Sequence, residues 1–368
     1  MERIIKNSFN VLKIHWGNLE HNLKIIQNVI GPHVTIMPIV KDNAYGHGLV
    51  DIGTFLVKQK VSFIGVNSTE EALYLRRHNV TCHILIMGAI QEEDFSLIEK
   101  YNLDFTIYDK RIVDYILNPS FKKNVRAHLK INTGMNRLGL HFDEVVPYIE
   151  KIKEKKNIEK VSLMSHLAEY NNEATRIQIN DFEKAKKYIL NQGLTFEHYH
   201  IANSGGTFFH TNAHQTMVRT GLSLYGYLPV ADSSFDLKPA LSFLSKIVSI
   251  KKIPKGQSIS YNRNFTTKRD SIIGVVPVGY ADGYFKSYGK NGYVVIKDTL
   301  VPIVGDICMD MFMIDLTDIK NAEVHDSVLL IGNNRHSEVS VYEIAKRSGL
   351  IPYEILTSLS RDINRVYE

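Results

Sequence analysis

Short apolar, β-branched runs recur through the first 225 residues, separated by stretches whose apolar residues fall three to four positions apart. The runs are Val34–Val40, Ser62–Val66, His83–Met87, Asp104–Tyr108, Ala127–Ile131, Lys160–Ser165, Glu197–Ile201 and Thr216–Val218. Between them Leu19–Val29, Thr69–Arg77 and Asp181–Leu190 read as amphipathic helices. Asp181 stands as a candidate cap of the last, with Lys186 and Lys187 nearer its C-terminal end. Eight strands alternating with helices over about 220 residues is the count of a closed (β/α)8 barrel. An open doubly wound sheet gives the same local pattern, so the count favours the barrel without excluding the sheet.

From about residue 236 the rhythm changes. Ser242–Ile250, Ser258–Tyr261, Ile272–Val278, Tyr293–Ile296, Val301–Ile303, Met311–Ile314 and Ser327–Ile331 are short and joined by Gly, Asn or Asp turns. One helical stretch, Val341–Arg347, interrupts them. The expected organisation is α/β: an N-terminal TIM-like barrel over 1–235, then a mostly-β domain over 236–368. The first ten or so residues are expected to pack with the β-domain.

Composition narrows the class. Of 368 residues, 44% are hydrophobic and 23% charged, which excludes a disordered or coiled-coil chain. The net charge of +5 is spread along the chain, and the densest basic stretch, Lys251-Lys252-Ile253-Pro254-Lys255, is short. No basic stripe with stacking aromatics is present, so nucleic-acid binding is not expected. Cys82 and Cys308 make no disulfide framework and lack metal-ligand spacing, so no metal site is expected. The N-terminus lacks a signal-peptide pattern and no apolar run reaches membrane-span length. A cytoplasmic protein without a membrane partner is the expectation.

In a barrel of this kind the chemistry sits on the loops that follow the strands. Lys41 ends the first strand, Lys130 lies within the fifth with Arg137 beyond it, and His166 ends the sixth. His200-Ile-Ala-Asn203-Ser204-Gly205-Gly206 ends the seventh, and Arg219-Thr-Gly221-Leu222 the eighth. A lysine at a strand end ordinarily snorkels to solvent; burial turns one into a Schiff-base nucleophile. The glycine loops after strands seven and eight read singly as tight turns. Together they offer a hydroxyl and backbone N–H groups where this fold binds phosphate. Combined with Lys41 they point to a phosphate-bearing aldehyde, pyridoxal 5'-phosphate.

From about Val11 to Val366 the chain resembles the bacterial alanine racemases, fold-type III pyridoxal-phosphate enzymes. The signature is Val40-Lys41-x-Asn43-Ala44-Tyr45-Gly46-His47-Gly48. It is supported by Asn132-Thr-Gly-Met-x-Arg137-Leu-Gly, His166, His200-x-x-Asn203-Ser204, Val218-Arg219-x-Gly221, Ser260-Tyr261, Val278-Gly-Tyr280-Ala-Asp-Gly and Cys308-Met309-Asp310. The resemblance implies that Lys41 holds the cofactor and serves as one acid/base, while Tyr261 from the partner subunit serves on the opposite face. A free tyrosine ionises only near pH 10, so Tyr261 needs help to act as a base. Arg219, supported by His166, would donate a hydrogen bond to the pyridine nitrogen without protonating it. That would limit transamination as a side reaction. Tyr45, Asn203, Ser204, Gly221 and Leu222 would hold the cofactor, chiefly its phosphate. Arg137 and the Met309 N–H would hold the carboxylate of a small amino-acid substrate. Lys130, which the family can carbamylate, would brace Arg137; Tyr280 would line the entrance, and Asp310 would be a supporting residue of the site.

The same resemblance implies a homodimer with shared active sites and a role in supplying D-alanine for peptidoglycan. Three positions depart from the family pattern. Arg361 stands where a phosphate-contacting tyrosine is usual, which opens serine or broader specificity as an alternative. Asn262 replaces a common glycine and Asp306 a frequent basic residue. A same-fold decarboxylase would need an acidic residue at Arg219, and a non-catalytic cofactor carrier would lack the β-domain.

Overall fold

Buried strands covered by amphipathic helices build a parallel barrel in one part of the chain, and alternating strands build an antiparallel sheet in the other. The computed structural model describes residues 9–117, 121, 123–170, 173–332 and 334–368. Strand β1 (Val11–Ile14) belongs to the sheet. The next eight are β2 (Thr35–Pro38), β3 (Phe63–Val66), β4 (His83–Ile86), β5 (Asp104–Ile107), β6 (Val125–Lys130), β7 (Ile158–Met164), β8 (His198–His200) and β9 (Met217–Thr220). Strands β3 to β8 pair in sequence order, all parallel, and β2 pairs with β9. A bridge from Ile39 to Gly65 joins β2 to β3, and Thr216 N donates to Tyr199 O (3.2 Å) between β9 and β8. Eight parallel strands thereby close into the barrel expected from the spacing. All four residues of β3 and of β5 are buried, as strands enclosed on both faces should be.

The helix Thr69–Arg77 shows why the chain coils where it does. Ser68 caps it, accepting from Glu71 N, and Glu70–Glu71 open it while Arg76–Arg77 close it, matching the helix dipole. The helix read at Asp181–Leu190 is longer than its apolar spacing indicated, running Glu173–Asn191. Asp181 is therefore no cap; it lies mid-helix and pairs with Lys184 one turn on (3.0 Å).

The remaining strands are β10 (Leu241–Lys246), β11 (Ser249–Ile253), β12 (Ser258–Ile259), β13 (Phe265–Thr266), β14 (Ser271–Val276), β15 (Tyr293–Ile296), β16 (Thr299–Val304), β17 (Phe312–Asp315), β18 (Ser327–Ile331) and β19 (Asn364–Tyr367). Nine of the chain's strands form one sheet, in the order β11-β14-β17-β16-β15-β18-β10-β1-β19. The apolar run Ser242–Ile250 divides because Ile247 N and Val248 N turn to different partners, Asp326 O and Val275 O. β10 thus pairs with β18 and β11 with β14. The helix read at Val341–Arg347 runs Val341–Ser348, and a second, Pro352–Thr357, follows it, with Gly349 at φ 72° between them.

By contacts the chain divides into a barrel unit, Leu23–Ala44 and Leu49–Leu224, and a sheet unit. The sheet unit holds the described residues up to Asn22, Tyr45–Gly48 and Tyr225–Glu368. The second division falls at Tyr225 because Ala240 N bonds Tyr225 O and the Tyr342 hydroxyl clamps both backbone groups of Leu228. β1 goes with the sheet because it is sandwiched between β10 and β19. Of the first ten residues, 1–8 lie outside the described residues. Asn10 donates to Pro277 O (2.8 Å) and accepts from the Ser245 hydroxyl (2.7 Å). Among the described residues no helix is long and apolar enough to cross a membrane.

Candidate active site

Lys41 follows β2 at the rim where the barrel strands end. The next four residues, Asp42 to Tyr45, have φ of 54, 56, 53 and 52°. Left-handed backbone costs an L-residue about 1–2 kcal/mol, so four in a row persist only under external constraint. The constraints are visible: Glu71 Oε1 accepts from Asp42 N (2.7 Å), Asn43 Oδ1 accepts from Leu49 N (3.0 Å), and Ala44 N donates to Val40 O (2.9 Å). The Lys41 amine lies 3.5 Å from Asp42 Oδ2 with its side chain partly open to solvent, so it can meet an aldehyde. The motif is shared between the units. Tyr45, in the sheet unit, is buried against Tyr225 and Tyr353. Gly46 there has φ 83°, and a Cβ would fall 2.4 Å from Leu356 O, so no other residue fits.

Arg219 lies on β9, inside the barrel and 3% exposed. Its Nη1 donates to His200 Nδ1 and more weakly to His200 O (3.3 Å). Its Nη2 donates to Ser165 O (2.6 Å) and His166 Nδ1 (3.0 Å). Burial, then the charge of Arg219, pushes both His166 and His200 well below the usual imidazole range, so both rings are neutral acceptors. Burial, then Arg137, pushes Arg219 itself down to about 9, which still leaves it cationic at neutral pH. The Nε–H has no hydrogen-bond partner among the described residues. A guanidinium N–H left over in this way can still donate, and a pyridine nitrogen is an acceptor.

Lys130 ends β6 and is 6% exposed. Burial first, then Arg219 and Arg137, pushes its amine down to about 8. Three cations therefore gather at the strand ends, an arrangement suited to an anion. One consequence is measurable. The unfolded lysine titrates near its ordinary value, so between pH 8 and 10.5 the unfolded chain holds more protons and stability rises with pH. In carbonate-free buffer Lys130→Met should therefore be more stable than wild type by up to roughly 3 kcal/mol below pH 8. Urea titrations should show that gain shrinking towards pH 10.5.

Ser204 and Gly221 come together as the loop reading required. Ser204 Oγ accepts from Gly221 N and Ser223 N (both 3.2 Å) and lies 3.1 Å from the Ser223 hydroxyl. Leu222, between these donors, is buried. These hydroxyls and N–H groups suit a phosphate. Ser223 was not singled out from the sequence, because a serine beside a glycine turn carries no special signal there. Asn203 caps the helix Ser204–Phe209, accepting from Gly206 N (3.0 Å) and donating to Leu167 O (3.2 Å). Arg137 is exposed and lines a cleft of about 270 Å³ with Tyr108, Asp109, Asn132 and His141.

In the sheet unit, Tyr261 is no strand residue. It follows the two-residue β12 in a turn where Ser260, Asn262 and Arg263 have φ of 69, 57 and 52°. The two unexplained departures from the family pattern meet here. Asp306 accepts from Asn262 Nδ2 and Asn264 Nδ2 (3.3 Å each) and pairs with Lys286 (3.2 Å). Asparagine tolerates the left-handed conformation better than most residues, so Asn262 takes the place of glycine and is tied down by Asp306. Tyr261 is 69% exposed. Tyr280 N donates to Cys308 O (3.1 Å) and Ala281 N to Met309 O (3.0 Å), which brings Tyr280 and Met309 side by side. Tyr280, Met309 and Asp310 are exposed, as are Phe285 and Met311, which the sequence reading passed over. Arg361 is exposed too; its backbone oxygen accepts from Arg365 Nη1 (3.1 Å).

A closed parallel barrel with an open lysine after its first strand and a buried arginine on its last, followed by a β-sheet unit, defines a two-domain barrel enzyme. Its strand-end cations suit a small anionic molecule. The alanine racemase N-terminal domain model matches residues 14–229 and the C-terminal domain model residues 240–367, and the chain belongs to the alanine racemase family. It is 36% identical over 364 residues to alanine racemase 2 of Caldanaerobacter subterraneus subsp. tengcongensis, covering 97% of this chain and 94% of that one. The alanine racemase of Clostridium difficile 630 superposes with a TM-score of 0.92 at 32% identity, covering 99% and 96% of the two chains. That of Bacillus anthracis, solved with bound L-Ala-P, superposes at 0.91 and 28% identity, over 99% and 96%.

Proposed function

We propose that the protein interconverts L- and D-alanine with pyridoxal 5'-phosphate, as a cytoplasmic homodimer that supplies D-alanine for peptidoglycan. The observation carrying this reading is Arg219: a buried cation whose one spare N–H points to an acceptor. Lys41 would hold the cofactor, Ser204, the Gly221–Ser223 backbone and Tyr45 its phosphate, and Arg219 Nε its ring nitrogen. When bound, the cofactor supplies a conjugated ring that withdraws electrons from the substrate's Cα–H bond.

The remaining steps belong to the chain. Arg137 and the partner's Met309 N–H hold the substrate carboxylate. The Lys41 amine takes or gives the Cα proton on one face, and the Tyr261 hydroxyl of the partner subunit does so on the other. Two bases are required, because one base would return the proton to the face it left. Carbamylation of Lys130 would turn its charge negative between Arg137 and Arg219. Tyr261, Tyr280, Phe285, Met309 and Met311 are large apolar or aromatic side chains left exposed, which a second copy would cover. The relatives' names support alanine over the serine alternative drawn from Arg361.

Arg219→Glu tests the reading. A carboxylate at that position lets the ring nitrogen keep a proton and makes the ring a stronger electron sink. Conversion of L- to D-alanine should fall by about 10²-fold or more while pyruvate, the transamination product, accumulates. Wild-type racemisation without pyruvate in this variant contradicts the assignment of Arg219.

A further inference from the structure

The barrel interior holds a polar chain that the reaction above does not use. Barrel interiors are normally filled with branched apolar side chains, yet Asp104, His128, Ser162 and His200 point inward from β5, β6, β7 and β8. All four are completely buried. Asp104 Oδ2 lies 3.2 Å from His128 Nε2, His128 Nδ1 2.7 Å from Ser162 Oγ, and Ser162 Oγ 2.8 Å from His200 Nε2. His200 Nδ1 then meets Arg219 Nη1. Register brings the strands together: His128 is opposite Ser162 across β6 and β7, and His200 stands two residues beyond His198, the β8 residue opposite Ser162.

The direction of every hydrogen bond follows from the two ends. Burial alone would raise the Asp104 carboxyl, but hydrogen bonds from His128 and His83 and the charge of Arg126 outweigh it and hold the acid ionised. An ionised carboxylate only accepts, so His128 Nε2 carries its proton and Nδ1 is bare. The Ser162 hydroxyl therefore donates to His128, and its oxygen is left to accept from His200 Nε2–H. His200 Nδ1 is then bare where a guanidinium, which only donates, approaches it. Each link from Asp104 Oδ2 to Arg219 Nη1 then has one donor and one acceptor, with both rings neutral.

We propose that Ser162 is a positioning residue for the racemase reaction: its hydroxyl carries the polarity set by Asp104 to His200, so that Arg219 meets a lone pair and keeps its Nε–H aimed at the cofactor. A Ser162→Ala variant leaves His200 Nε2–H without an acceptor. The opposite tautomer would then set an N–H against the guanidinium and turn Arg219 aside. The inference rests on the proposed contact between Arg219 and the ring nitrogen.

The test is nitrogen-15 NMR of the full chain labelled at histidine, with and without pyridoxal phosphate, beside alanine kinetics. Wild type should show His128 and His200 both protonated at Nε2. Ser162→Ala should lose the single His200 tautomer and lower kcat by about 10- to 100-fold with KM nearly unchanged. Ser162→Thr, which keeps the hydroxyl, should restore both readings. Ser162→Cys, whose thiol bonds weakly, should fall between them and serves if the alanine variant fails to fold. An unchanged His200 tautomer in Ser162→Ala overturns the relay. A changed tautomer with wild-type kcat overturns the positioning role. A wild-type chain that neither takes up pyridoxal phosphate nor racemises alanine overturns the functional reading instead, while the tautomers still decide the relay.

Discussion

Lys41→Ala should lower racemisation by about 10⁴-fold or more, because it removes an acid/base group and the amine that attaches the cofactor. The loss should be chemical and not structural. The Lys41 side chain is partly exposed and its charge partner, Asp42, is half open to solvent. The left-handed turn after it is fixed by Glu71, Asn43 and Val40, none of which bonds the lysine side chain. Thermal melting of the cofactor-free variant should therefore match that of cofactor-free wild type, and cofactor should wash out of the variant on gel filtration. A variant that keeps a tenth or more of wild-type turnover would remove Lys41 from the reaction.

The second large effect is expected for Tyr261→Phe. The hydroxyl is all that changes, and at 69% exposure the ring carries little of the fold. Racemisation should fall by about 10²- to 10⁴-fold. Enantiomers have equal free energies, so kcat/KM must fall equally in both directions, and the asymmetry has to be sought elsewhere. In deuterated water, Lys41 still serves its own face. One alanine enantiomer should exchange its Cα hydrogen without inverting, and the other should not exchange. Equal exchange of both, or undiminished racemisation, contradicts two bases on opposite faces.

The barrel strands were legible because each is a run of buried residues between helices of regular period, and nearly every run coincides with an observed strand. The sheet unit was less so. β1 pairs with β10 and β19, more than 200 and 300 residues away, and nothing local marks such pairings. The turn bearing Tyr261 read as a strand because its apolar and aromatic residues suit one, and only the positive φ at three neighbours ends it. The rim residues were legible by position alone, since each lies near the end of a strand or just beyond it. His128 and Ser162 were not: their alternation with apolar neighbours is visible, but its meaning depends on barrel closure bringing β6, β7 and β8 to a common interior. The coupling of Asn262 to Asp306 was hidden for the same reason, with two departures 44 residues apart meeting in one turn.

The most direct test of the central claim is reduction of the purified, pyridoxal-phosphate-loaded protein with borohydride, followed by peptide mapping. An absorbance band near roughly 420 nm, as for a lysine-bound pyridoxal ring, should disappear, and the label should reside on Lys41 alone, in protein that forms D-alanine from L-alanine before reduction. Label on another lysine, or no band after addition of the cofactor, would contradict the account.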